Sequence, residues 1–124
     1  MAISVTPGEW AVMEELWKQP STLMELVRAL GKSEGWAKST VTTMIRRMTE
    51  KELVCYESDG KTKTFMAAVS REDVVAEETT SLLKRAYNGS IGLLVNAMAQ
   101  RNTLSKSDID ELYAILQKAE DELK

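Results

Sequence analysis

The 124-residue sequence contains no histidine and a single cysteine, Cys55. The first absence removes the commonest general acid–base side chain and the imidazole ligands of zinc and copper sites, and one thiol closes no internal disulfide. Only carboxylates, lysines and hydroxyls remain for acid–base work. None of them stands in a recognisable catalytic motif, so an enzyme is not expected, nor is a cofactor or a bound metal. No apolar run reaches the roughly 18 residues that a membrane span requires, and Met1 to Trp10 lacks a basic start followed by an apolar stretch. No membrane insertion is expected, and the default location is cytoplasmic. Repeats and low-complexity tracts are lacking too. Cys55 reads as a small, buried apolar residue of a strand. The acidic runs Glu77-Glu78 and Glu120-Asp121-Glu122 read as solvated faces, because neighbouring helical residues point apart.

What is present is a globular composition, 44% hydrophobic and 28% charged, of a length that fits one domain or a small domain with an appended helical arm. The net charge is −3 and the pI about 5.1, which argues against nucleic acid if taken as an average. The average hides a division. Residues 1–69 carry 9 basic and 9 acidic side chains, whereas residues 70–124 carry 7 and 10. Between Trp36 and Lys51 the cations Lys38, Arg46, Arg47 and Lys51 face only Glu50.

Thr6-Pro7-Gly8-Glu9 has the form of a capping box with proline at the first helical position, and Val5 and Trp10 can staple it. The spacing of Trp10, Met13, Leu16 and Trp17 predicts a first helix that Gln19-Pro20 stops, with both tryptophans facing the core. A second box, Thr22 to Glu25, opens a short helix with Leu23, Leu26, Val27 and Leu30 inside, and Gly31 is expected to end it. A third helical pattern runs from about Ala37 to Glu52, with Val41, Met44, Ile45 and Met48 on one stripe. The period then changes. Leu53 to Glu57 and Thr64 to Val69 are β-rich runs around the turn residues Ser58-Asp59-Gly60-Lys61, which predicts a hairpin. Three helices and a hairpin describe a winged helix-turn-helix. The expected architecture is mainly α with a small β-hairpin wing, a DNA-binding domain over residues 1–69 and a helical dimerisation domain over 70–124.

In that second part Ser70 can cap a helix carrying Val75, Leu82 and Ala86 on one side, and Asn88-Gly89 breaks it. Ile91 to Gln100 forms a short apolar helix, and Ser105 can cap a last one. There Ile109, Leu112, Leu116, Ala119 and Leu123 alternate by three and four, a seam that one chain cannot bury alone. Val75, Leu82, Ile109, Leu112, Leu116 and Ala119 are the expected dimerisation residues.

Turning the segment Ser39 to Lys51 at 100° per residue leaves Ser39, Thr42, Thr43 and Arg46 opposite its apolar stripe. Serine and threonine are poor choices for an exposed helix interior, since they compete for backbone hydrogen bonds, so their clustering asks for a reason. Short hydroxyls approach base edges closely and arginine grips guanine in two places, which suits insertion into a major groove. Lys38, Thr40, Arg47 and Lys51 flank that face as expected phosphate anchors, and Lys61 and Lys63 lie at the wing tip where the sugar-phosphate backbone would pass. The bland alternative is a solvated helix face on a winged-helix scaffold that serves as a protein-interaction adaptor without specific DNA binding.

Glu9-Trp10-Ala11-Val12-Met13 with Leu16-Trp17 resembles the opening helix of the penicillinase-repressor (BlaI/MecI/CopY) family. Gly35-Trp36-Ala37-Lys38-Ser39-Thr40-Val41-Thr42-Thr43-Met44, followed by Arg47-Met48 and Glu50-Lys51, is similar to that family's recognition helix. The resemblance implies a homodimer joined by its C-terminal helices that binds double-stranded operator DNA of dyad symmetry and blocks transcription, of the β-lactam-resistance or copper-homeostasis type. For the β-lactam-responsive branch it implies an upstream membrane sensor or protease and cleavage within Val95 to Ala99. This sequence has Asn96-Ala97-Met98 there, with no phenylalanine beside the asparagine. For the copper-responsive branch it implies a cysteine-rich hook, where this sequence reads Asp121-Glu122-Leu123-Lys124.

Overall fold

The computed structural model describes residues 3–124 and divides them into two units, one ending at Thr79 and one spanning Thr80–Lys124. The first unit begins with helix α1 (Pro7–Lys18), whose Thr6 hydroxyl accepts from the Glu9 N–H while the Glu9 carboxylate accepts from the Thr6 N–H. Strand β1 (Ser21–Thr22) leads directly into α2 (Leu23–Glu34), and α3 (Lys38–Glu50) follows. Strands β2 (Val54–Ser58) and β3 (Lys63–Ala67) make the hairpin. Strand β1 pairs antiparallel with β3, Ser21 opposite Phe65 and Thr22 opposite Thr64, so the sheet has three strands in the order β1-β3-β2. The sequence reading had only the hairpin. Two residues are too short to show a period, and Thr22 shows itself only as the cap of α2, accepting from the Glu25 N–H.

The core of this unit gathers one stripe from each helix: Val12, Met13 and Leu16 of α1, Leu26 and Leu30 of α2, and Val41, Ile45 and Met48 of α3. Leu53, Val54 and Phe65 close it from the sheet side. Trp10, Trp17 and Trp36 pack at its margin, half-buried. Trp10 and Trp17 meet edge to face at 5.6 Å, and the Trp17 indole N–H donates to the Val69 carbonyl at 3.0 Å.

Three expectations are corrected. Gly31 does not end α2. The helix runs on through Lys32, Ser33 and Glu34 to Gly35, which takes φ +73° and donates to the Gly31 carbonyl. A left-handed residue is what a helix end requires, and Gly35 supplies it. Cys55 is exposed, because side chains alternate along β2 and it points to the face opposite the buried Val54. The first unit extends past Val69: the Ser70 hydroxyl caps α4 (Arg71–Tyr87), Val74 of that helix is fully buried, and Arg71 lies over the Trp17 and Trp10 rings at 5.4 and 6.0 Å while pairing with Glu14. The apolar side of α4 that reaches this core is therefore Val74, whereas Val75 is exposed.

In the second unit, α4 ends where Asn88 and Gly89 adopt positive φ, of 50° and 81°. Helix α5 (Ile91–Gln100) is capped by Ser90 and α6 (Lys106–Glu122) by a capping box of Ser105 and Asp108. Neither helix has a buried residue. Ile91, Leu93, Ile109, Tyr113, Ile115 and Leu116 are among the large apolar side chains left exposed.

Candidate nucleic-acid interface

Helix α3 has two unlike sides. Val41, Ile45 and Met48 are buried and Met44 is half-buried, while Lys38, Ser39, Thr40, Thr42, Arg46 and Arg47 are exposed. Thr43 is half-buried and so stands less far out than the helical projection places it. The start of α3 has no side-chain cap: Ala37 is the N-cap residue. Its position is fixed from below instead. At the second position of α1, Gly8 leaves the space that Met44 and Trp36 approach; a Cβ there would lie 3.4 Å from the Met44 methyl and 3.8 Å from the Trp36 ring. The Thr42 hydroxyl donates to the Lys38 carbonyl one turn back at 2.9 Å, so its proton is committed and its oxygen keeps only acceptor capacity.

The far end of α3 is held by charge. The Lys51 ammonium, at the C-cap, donates to both oxygens of the Glu9 carboxylate at 2.8 and 3.0 Å, across 42 positions of sequence. Burial raises the Glu9 pKa, but the Lys51 hydrogen bond and charge together with the Thr6 N–H outweigh it, and the carboxyl lies below its ordinary value. Lys51 thus has an internal partner on α1, a role that the sequence reading did not give it. Sequence reasoning assigned Glu9 only its capping task, since nothing local marks a contact so distant.

The wing tip is built by a second set of short bonds. One Asp59 carboxylate oxygen accepts from the Lys61 and Thr62 N–H groups at 2.9 and 2.8 Å, and the Ser58 hydroxyl accepts from the Gly60 N–H. Those backbone donors, Thr62 first, hold the Asp59 carboxyl below its usual range. Gly60 at φ +94° completes the turn. Lys61 projects from this turn, and the Lys63 ammonium sits 4.5 Å above the Tyr56 ring across the hairpin.

Between the wing, α3 and the start of α2 lies a groove of about 740 Å³. It brings together four of the sequence-predicted site residues: Thr42 and Arg46 from α3, Lys61 and Lys63 from the wing. Lys38, Ser39, Thr40, Thr43 and Arg47 lie outside it. Two of its lining residues, Met24 and Tyr56, were not foreseen as part of a site. Met24 carried a signal, as a large apolar side chain out of step with the buried stripe of α2, whereas Tyr56 shares the face of the buried Val54 and is set apart only by its exposure.

Comparison with known proteins follows the same outline. A family model described as penicillinase repressor matches residues 5–118. A penicillinase repressor of Bacillus licheniformis is 28% identical over 114 residues, covering 91% of this chain and 89% of that protein. The methicillin resistance regulatory protein MecI of Staphylococcus aureus is 24% identical over 115 residues, covering 92% and 94%. Among solved structures, the DNA-binding domain of the repressor BlaI superposes with a TM-score of 0.54 at 22% identity, covering 59% of this chain and 90% of that one. The monomeric form of Bacillus licheniformis BlaI, solved in complex with the blaP half-operator, gives 0.51 at 21% with the same coverage. At these identities the structural likeness is one of fold, and that fold is the winged helix.

Proposed function

The chain belongs to the penicillinase repressor family, and on that premise we propose that it is a sequence-specific DNA-binding transcriptional repressor. The family is one of repressors and not of enzymes. The observation that carries the proposal is the division of α3: three buried apolar residues fix the helix to the core, and the opposite side offers Ser39, Thr42 and Arg46 to the outside. Arg46 and the exposed Thr42 read base edges. Lys38, Arg47, Lys61 and Lys63 meet phosphates on either flank, supplying the sequence-independent, salt-sensitive share of affinity. Lys51 contributes by orienting α3. The relative solved on a half-operator supports the DNA-binding reading by analogy of fold.

The repressor acts as a homodimer on a dyad-symmetric operator. The uncovered apolar residues of α5 and α6 support this reading, since a monomer leaves Ile109, Leu116 and their neighbours in water. Two recognition helices then reach half-sites about 34–36 Å apart. An upstream sensor or protease would have to act on a tail whose Val95 to Ala99 segment is helical within α5, so cleavage there requires that helix to open. No helix among the described residues is long and apolar enough to cross a membrane.

Selection of the full chain on a randomised duplex pool, followed by footprinting, tests the proposal. A protected site of two inverted half-sites is expected. Absence of any retardation at low salt would overturn it in favour of a protein-interaction adaptor.

A further inference from the structure

The groove beside α3 has a lining unlike that of a surface made only to meet phosphates. Its walls are apolar, from Leu23, Ile45 and Phe65, and they continue outward to Met24 and Tyr56, which are 51% and 44% exposed. Its rim carries Arg46, Lys61 and Lys63 against a single carboxylate, Glu50. Because Lys63 rides on the Tyr56 ring, an aromatic face and a cation are presented at the mouth as one unit. A mostly apolar cleft of this volume with a few convergent charged groups is the form of a small-molecule site. The excess of cations selects the sign of the guest, and the apolar walls select its body.

We propose that this groove binds a small amphipathic organic anion, an aromatic or acyl carboxylate, and that its occupancy displaces DNA. The apolar body lies against Met24, Tyr56 and Phe65, and the carboxylate turns to Arg46 and Lys61. The displacement rests on the DNA-binding reading above, because Arg46 and Lys61 then serve two exclusive partners. The binding does not.

The test uses the full chain with 2-naphthoate as probe and neutral 2-naphthylmethanol as control, read by ¹³C-methyl NMR at Met24 and Ile45. Saturable shifts of both methyls are expected, with a Kd below about 1 mM. Binding at least tenfold weaker is expected for the alcohol, and for naphthoate on Met24→Glu, a change at an exposed position whose melting curve checks the fold. No saturable shift, or equal binding of the alcohol, overturns the site. Shifts confined to α5 and α6 methyls overturn it as well, since they place the probe on the uncovered apolar face of the second unit. In a separate titration, naphthoate at ten times its Kd raises the apparent Kd for duplex DNA about tenfold if the partners are exclusive. Unchanged DNA affinity overturns the displacement. Methyl shifts in a chain that binds no DNA retain the site and overturn the repressor reading instead.

Discussion

Replacing Lys51 by methionine separates an internal role from a DNA-contacting one. The substitution keeps most of the aliphatic stem and removes the ammonium that donates to both oxygens of Glu9. Exposed ion pairs contribute roughly 0.2–1 kcal/mol, whereas deleting one partner of a fully buried pair costs about 3–5 kcal/mol. Here the Glu9 side chain is 8% exposed and that of Lys51 is 41%. Water screens the ammonium but reaches the carboxylate poorly, which places Lys51→Met between the two cases, at about 1.5–2 kcal/mol of lost stability. Glu9→Gln retains the capping geometry and loses only charge, for about 1 kcal/mol. The double variant should fall short of the sum by about 1 kcal/mol, read from urea unfolding of the four proteins. Additivity within about 0.3 kcal/mol would refute the coupling. The pH dependence carries the same sign. Because the Glu9 pKa is depressed in the folded chain, its stabilisation is complete above its ordinary value of 4.5 and is lost as pH falls through the folded value, so Lys51→Met should flatten that acid limb. The decisive contrast is in DNA binding. A cation already engaged by Glu9 releases no counterion, so the slope of log K against log salt should not change in Lys51→Met. A fall of about 0.9 would mean that Lys51 reaches a phosphate after all.

Arg46→Ala should weaken the preferred site by about 1–3 kcal/mol while leaving non-specific binding nearly unchanged, and an identical footprint and affinity would remove Arg46 from base reading. Lys61→Ala should instead weaken all duplexes alike and lower the salt slope by about one, as measured by fluorescence anisotropy across a salt series. Leu116→Glu puts a charge on the uncovered seam of α6, so sedimentation should give a monomer and operator affinity should collapse; an unchanged sedimentation coefficient speaks against that interface. Gly35→Ala forces a Cβ into a left-handed conformation at the end of α2 and should cost about 1 kcal/mol in thermal or urea unfolding, although nothing lies within 4 Å of the added atom.

What the sequence disclosed was what is local. The boxes Thr6–Glu9 and Thr22–Glu25 and the Ser105 cap are satisfied within four residues, and the stripes of α1, α2 and α3 repeat at the helical period, so both were legible from spacing alone, although the return bond of Asp108 was not read. Gly31 misled because it is the first glycine after the apolar run, yet a helix tolerates an interior glycine when a better left-handed terminus stands four residues on. The clasp of Lys51 on Glu9 and the seating of Arg71 on Trp17 depend on where the chain returns, and no spacing rule reaches that far. Cys55 followed the same logic: strand composition indicates a strand, but which of its two faces meets the core is decided by the helices that pack beneath it.

Thr22 is at once the last residue of β1, facing Thr64, and the N-cap of α2. A single residue therefore sets both the register of the wing and the starting point of the second helix, with no spacer between them. Insertions and deletions should be tolerated at the turn from Asp59 to Thr62, which can lengthen without disturbing either partner. One residue added between Pro20 and Leu23 would have to break the strand pairing or the cap. Changes of length that adapt the chain to new tasks thus have room at the wing's tip and none at its root.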